Sequence, residues 1–240
     1  MSAAIVPIFN NEEYLPRALD SLLAQSLEVE AIFVVCDSDR TAQSPQYLAI
    51  RRKYQQYSKI HWSQTSQKIG PTSICDRIIR AHPQFDRFLI QDADDWSHKN
   101  RHLLLSKAMD IRSLDVVGSD EIYYYPHHNY RLYHKQYPRN LKEALIENPQ
   151  NLLVLHWHTC LISREFYLKL GGAIDVDYVG GGIEFIVRAI FNGRVACLPE
   201  YLYYYRQLDN SFLRNPDKGS KSPEYLKLRK EIEEYIRARS

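Results

Sequence analysis

Apolar residues along this chain fall into two kinds of pattern, and the two kinds alternate. Residues 3–8 (AAIVPI), 31–36 (AIFVVC) and 88–90 (FLI) are unbroken apolar runs, too short for helices, and they predict strands buried on both faces. After the first run, Leu15, Leu19, Leu22 and Leu23 recur at helical spacing up to Gln25, with Asn10 or Asn11 placed to cap the helix. A polar stretch of helical character reaches Tyr57, a short strand falls at 60–62, a loop holds Gly70-Pro71, and Ile74, Ile78 and Ile79 mark a further helix. Beyond Asp110, one more strand is expected at 115–119, a Tyr/His-rich hairpin or excursion at 122–137 and a strand over 152–162. Helices are expected at 164–170, ended by Gly171-Gly172, and at 183–191, stopped by Asn192-Gly193. A polar linker spans 216–223, and Leu228, Ile232, Tyr235 and Ile236 form one stripe of a charged last helix over 225–239. Its mixed-sign charge favours docking on the domain over a membrane surface.

Strand and helix in this alternation predict an α/β fold, a mostly parallel central sheet flanked by helices. Ligands of such sheets bind beyond the carboxyl ends of the strands. Those ends carry Phe9-Asn10, Asp37-Ser38-Asp39 and Asp92-Ala93-Asp94-Asp95, so three strands offer polar and acidic groups to one edge. Carboxylates packed as closely as DADD repel one another unless a cation compensates, and Mg2+ or Mn2+ held by one or two carboxylates with substrate phosphates meets that need. The other reading is a helix cap, with Asp94 or Asp95 capping a helix that begins near Ser97. The GxGxxG pattern of a dinucleotide fold is absent from the first turn, and so is a glycine-rich, basic loop of the kind a nucleotidyltransferase needs.

Composition trims the choices. With 240 residues, 45% of them hydrophobic, the chain suits one domain over 1–220 with a donor-binding half (about 1–115), an acceptor half (116–220) and a C-terminal helix (221–240). A formal net charge of +2, with both signs interspersed, argues against nucleic acid as a partner. Cys36, Cys75, Cys160 and Cys197 form no CxxC pair and three adjoin apolar runs, which predicts free thiols, a reducing compartment and no zinc site. No apolar stretch approaches the ~20 residues a membrane span requires, and no basic, apolar leader precedes the first strand, so a cytoplasmic protein without an integral membrane segment is expected. The 18 tyrosines suit either strand packing or sugar contact. Trp96, Trp157, His156 and His158 are acceptor candidates on the same ambiguous footing, the two histidines alternating on one face of the expected strand.

The segments IVPIFNNEEYLPRALDSLLAQS, VVCDSD, DRFLIQDADDW, HTCLISREFYLKLGGAID, IEFIVRAIFNG and YYYRQLDNS, in that order, resemble the family-two glycosyltransferases of the GT-A (Rossmann-like) fold over roughly residues 3–211. The resemblance implies inverting transfer from a nucleotide-sugar donor, often a UDP-sugar, to a glycan, lipid-linked or other hydroxyl acceptor, with Mn2+ or Mg2+. It puts Pro7, Phe9, Asn10, Glu12 and Gly70 at the donor edge and Asp37 on the nucleotide base. Asp92 and Asp94 become the DxD pair, with Asp94 the favoured metal ligand and Asp92 or Asp95 nearer the ribose and donor. Lys68 and Arg77 are placed loosely near the diphosphate, and a solvated surface role is open to both. A homodimer is compatible with the sequence.

Three departures stand out. Cys75-Asp76 replaces an Arg-Asn pair, and Gln207-Leu208 comes after Tyr205-Arg206 where the family often has a histidine. Ahead of Arg188 the family usually carries a Glu-Asp pair whose aspartate is the catalytic base, and here those positions are Gly181-Gly182. Glu184 is the acid retained in that motif and the predicted base, since an inverting transfer needs a carboxylate to take the hydroxyl proton. A glutamate there also suits a helix N-terminus, and Asp120, Asp175 and Asp177 are the reserves. A protein that binds nucleotide or glycan but has lost its base is the alternative.

Overall fold

The computed structural model describes residues 1–126, 131–176, 178–209 and 211–240, with the side chains of Asp39, Arg40 and Phe212 left aside. Asp177 therefore lies outside the described residues. Four strands, β1 (Ser2–Ile8), β2 (Ala31–Cys36), β3 (Ile60–Gln64) and β4 (Arg87–Ile90), form the parallel part of one sheet in the order β3-β2-β1-β4. Ile5 faces Phe33 across one ladder and Ile90 across the other. Side chains alternate in these strands: Ala3, Ile5, Phe33, Val35, Phe88 and Ile90 enter one core layer, and Ala4, Val6, Ile8, Ile32, Val34 and Leu89 the opposite one. Both faces are covered, which is why the runs are apolar at every position. Each buried Ile, Val, Leu or Phe among them contributes about 1.5–3 kcal/mol, an upper figure because the unfolded chain is itself partly compact.

The remaining strands are β5 (Trp96–Ser97), β6 (Val116–Tyr125), β7 (Arg131–Lys135), β8 (Leu161–Ser163) and β9 (Val195–Arg206). They extend the sheet as β4-β8-β6-β9-β5, with β7 hairpinned onto β6. β8 runs antiparallel to both β4 and β6, whereas β6 and β9 are parallel, so the second half of the sheet is mixed. The β6–β9 register slips on either side of Asp120. Two successive acids at this irregularity, Asp120 and Glu121, are fully buried, as are all positions of β6 from Val116 to Ile122, because both faces of the sheet are covered.

Helices α1 (Leu15–Leu23), α3 (Pro45–Tyr54) and α5 (Arg101–Arg112) cover one face through Leu15, Leu19, Leu22, Tyr47, Ile50, Tyr54, Leu105 and Met109, with the short α2 (Asp39–Ala42) at the end of β2. On the other face lie α4 (Pro71–Ala81), α6 (Leu141–Glu147), α7 (Arg164–Lys169), α8 (Gly181–Asn192) and α9 (Pro223–Arg237). Leu228, Ile232 and Ile236 of α9 join this layer, so the C-terminal helix docks on the domain as its stripe predicts. All four cysteines are buried and free. Among the described residues, no helix is long and apolar enough to cross a membrane.

Three local expectations are corrected. The strand expected over 152–162 shrinks to β8, because Leu152, Val154 and Leu155 are buried on an irregular segment outside the ladder and residues 157–159 form a 3-10 turn. His156 and His158 therefore do not alternate on a strand. The helix after the acidic cluster begins at Arg101, with β5 in between, so neither Asp94 nor Asp95 caps it. Neither Asn10 nor Asn11 caps α1, whose N-cap residue is Tyr14 with no side-chain bond.

Candidate active site

The carboxyl ends of β1, β2 and β4 open on a cavity of about 670 Å³. Of the residues singled out in the sequence, Pro7, Phe9, Asn10, Asp37, Lys68, Asp92 and Asp94 line it. The structure adds Tyr14, Val179, Tyr205 and a stretch of the segment from Leu208 to Pro216, which includes the ion pair Asp209–Arg214 at 2.7 Å. Asn10 holds a left-handed backbone (φ 55°), a conformation that asparagine tolerates better than most residues, and its Oδ1 accepts the Thr41 hydroxyl at 2.7 Å. The Lys68 ammonium lies 4.3 Å from the centre of the Phe9 ring.

Asp37 is 2% exposed and accepts three hydrogen bonds from its own chain: from Thr65 Oγ1 (3.1 Å), from the Ile69 amide (2.8 Å) and from the Gly70 amide (2.8 Å). Gly70 reaches this pose with φ +87°, a region that favours glycine, so its part is to present an amide to Asp37. Glu12 does not line the cavity; its Oε1 accepts the hydroxyl of Ser44, the N-cap of α3. Arg77 is exposed and also lies outside the lining.

Asp92 and Asp94 face the cavity while Asp95 turns inward and is fully buried. Burial, and then the Asp92 charge, push the Asp94 carboxyl up to about 6 against the pull of Asn11 and Arg206. Burial also raises Asp95 well above the usual carboxylate range, with Asp94 and Asp92 adding to it. Asp95 Oδ1 accepts the Arg206 amide at 2.7 Å, and its Oδ2 has no hydrogen-bond partner among the described residues. Arg206 donates from Nε to the Asp94 carbonyl (2.7 Å), and its guanidinium lies over Tyr14 at 4.4 Å and Trp96 at 5.1 Å. Trp96 is itself packed, stacked on Tyr204 with Arg17 over its ring, rather than offered as a sugar platform. The donor set, Asp92 and Asp94 on the cavity with the unmet buried oxygen of Asp95 behind them, fits a divalent cation, which Asp92 and Asp94 would hold at the cavity surface.

Behind the cluster runs a buried chain of ionisable groups. His158 Nδ1 is 3.4 Å from Asp92 Oδ2, and its Nε2 is 2.9 Å from Glu121 Oε2. His156 Nδ1 is 2.6 Å from Glu121 Oε1 but outside hydrogen-bonding angles, and the Tyr137 hydroxyl donates to the same carboxylate. Burial opposes charge on His158, but Glu121 and Asp92 outweigh it and push the imidazole up to about 10. Burial likewise works against the Glu121 carboxylate, yet the two histidines hold it well below its usual range. Glu121 was not legible in the sequence, since an acid inside a strand looks like any solvated position.

The predicted acids of the second half are closed off. Glu184 places both carboxylate oxygens on Arg188, which also donates to the carbonyls of Leu170 and Gly172, and it does not line the cavity. Asp120 is fully buried, paired with Arg139 and bonded by the Tyr137 amide. Asp175 accepts the Ser73 hydroxyl and is also absent from the lining. Trp157 packs on Phe185 and against Gly182 in the core. A Cβ on Gly182 would stand 2.8 Å from that of Trp157, and one on Gly181 2.8 Å from Thr72 Oγ1. The positions where the resemblance expects the Glu-Asp pair are thus filled by neighbouring side chains.

Comparison with known proteins agrees with this fold. Staphylococcus aureus TarS (residues 1–349) in complex with UDP-GlcNAc superposes with a TM-score of 0.74 at 18% identity, over 99% of this chain and 70% of that one. The same fragment in complex with UDP gives 0.71 at 18% identity, over 98% and 64%. In a third TarS 1–349 structure, at 19% identity, the match covers 85% of this chain and only 60% of that one, with a TM-score of 0.66. No curated protein matches the chain in sequence. The profile of glycosyl transferase family 2 matches residues 3–171, well over half the chain, and the protein belongs to that family.

Proposed function

We propose that this glycosyltransferase takes its sugar from a nucleoside-diphosphate donor, UDP-sugars first, and transfers it with inversion to a glycan, lipid-linked or other hydroxyl acceptor, using Mn2+ or Mg2+. One observation carries the reading: Asp37, Asp92, Asp94 and Lys68 meet on a single cavity at the strand ends. Three of the roughly four lone-pair sites of the Asp37 carboxylate are taken, which leaves one for an imide N–H such as that of uracil. Lys68 suits a diphosphate, and the solved likenesses of this fold include UDP and UDP-GlcNAc complexes of TarS. When bound, a divalent cation would supply charge stabilisation for the departing nucleoside diphosphate. The chain's own part is to hold the donor, with Tyr14 and Tyr205 walling the cavity beside it.

Calorimetry with UDP and UDP-GlcNAc, with and without Mn2+, paired with a donor-hydrolysis assay, tests this. Metal-dependent UDP binding and slow hydrolysis are expected; no binding of any nucleoside diphosphate would remove the proposal. A second reading is favoured by the filled Gly181 and Gly182 positions and by the Arg188 grip on Glu184: a protein that binds the donor and lacks a base. Tight binding with neither hydrolysis nor transfer across a panel of donors and acceptors would select it.

A further inference from the structure

Resting on that reading, we infer that the cation site extends inward past the DxD pair, with His158 and Asp95 joining Asp92 as ligands, so that it favours a first-row transition ion such as Mn2+ over Mg2+. A carboxylate oxygen of Asp92, one of Asp95 and a ring nitrogen of His158 lie within 4.8 Å of one another. Asp95 is 0% exposed, and its Oδ2 has no hydrogen-bond partner among the described residues. A polar atom left unmet at that depth is costly, and a bound cation would compensate it.

The surroundings of His158 are those of a metal-binding imidazole. Its Nε2 sits 2.9 Å from Glu121 Oε2 while Nδ1 points toward Asp92. Ligating histidines usually donate their far N–H to a carboxylate in this way, which fixes the ring and strengthens the near nitrogen as a ligand. The ring is clamped between Tyr203 and Tyr205, each with its centre 4.8 Å away. Its backbone carbonyl accepts from Arg101 Nη2 at 2.6 Å, and Arg101 is fully buried among Gln91, Ser97 and Ile90. An aromatic nitrogen held this firmly raises affinity for first-row transition ions, whereas Mg2+ prefers an all-oxygen shell with several waters.

Pulsed electron paramagnetic resonance on the full chain loaded with Mn2+, alone and with UDP, tests the assignment directly. Imidazole-nitrogen coupling to Mn2+ is expected in the wild type and is lost in His158→Gln. In calorimetry, Mn2+ affinity of His158→Gln and of Asp95→Asn falls by about 10- to 100-fold, and the preference for Mn2+ over Mg2+ narrows in His158→Gln. The wild-type spectrum needs no variant to fold. Absence of nitrogen coupling in both loaded states overturns the inference, as does a His158→Gln protein that folds and binds Mn2+ within two-fold of wild type. UDP binding that is equal with and without metal and is abolished in His158→Gln also overturns it, because the imidazole would then act as the cation itself. Nitrogen coupling without any UDP binding leaves the cation site standing and removes the donor reading instead.

Discussion

The carboxylates at the ends of β2 and β4 and those of the second half of the chain are the same chemical groups in opposite conditions. Asp92, Asp94 and Asp95 crowd one corner, where burial and then neighbouring charge raise Asp94 and Asp95, with no arginine side chain paired to their carboxylates among the described residues, whereas Asp120 and Glu184 each hold an arginine of their own. A paired acid is a piece of structure; an acid cluster short of positive charge is a place where a cation or cationic ligand gains the most. The contrast separates Glu184, the acid that counting along the sequence points to as a base, from the cluster: in the folded chain both its oxygens are held by Arg188.

The comparison breaks first where a closed pair is opened. Arg139→Ala leaves the Asp120 carboxylate buried with one amide donor, and a loss of about 3 kcal/mol in urea unfolding is expected, with UDP affinity unchanged. Next, Asp94→Asn removes a cavity carboxylate; a fall of about 100-fold in metal-dependent donor turnover, or ~2.7 kcal/mol, is expected in steady-state assays with native-like stability. Gly182→Ala forces a methyl group against Trp157, and about 2 kcal/mol of destabilisation is expected by chemical denaturation. Should Gly182→Asp instead fold stably and raise turnover, the packed-out base position would be misread. Glu184→Gln keeps a hydrogen-bonding partner for Arg188, so a stability loss of about 1 kcal/mol and turnover within a few-fold of wild type are expected. A large fall in turnover alone would restore Glu184 as the base.

The smallest effect concerns a buried base kept neutral. Burial lowers His102 below its ordinary value, and its Nδ1 sits 2.9 Å from the Leu27 carbonyl. A histidine whose folded value is depressed contributes stability above its unfolded pKa of about 6.5, and that contribution is lost as pH falls. His102→Gln should flatten the acid limb of a stability-against-pH curve, and an unchanged slope would show that His102 charges without penalty.

The cavity edge at the ends of β1, β2 and β4 was legible because its signals are local. The runs at 3–8, 31–36 and 88–90 are strands buried on both faces, and in a parallel sheet the residues just after such a strand lie at its carboxyl end. The second half was less legible, since its features depend on partners far away in sequence. The two-residue β5 exists only because β9 pairs with it, and the slip at Asp120 shows only when β6 meets β9. Residues 152–156 carry a strand's apolar content without a ladder, and periodicity does not separate those two states. The Arg206 contacts with Asp94 and Asp95 had a sequence trace in the Tyr205-Arg206 pair, but nothing there said which acids it meets.

The pairing of β5 with β9 has a consequence for the order of folding. Trp96 and Ser97 come immediately after the acidic cluster, yet their ladder partners are Tyr204 and Tyr203, and the amide that holds Asp95 belongs to Arg206. The acidic corner is thus closed by a strand made more than a hundred residues later. Contacts of such long sequence separation slow folding and form late. A chain emerging from the ribosome can complete β1 to β4 while its DADD segment is still unshaped, so the acidic edge of the cavity takes its final form with the last strand of the sheet rather than with the DADD residues themselves.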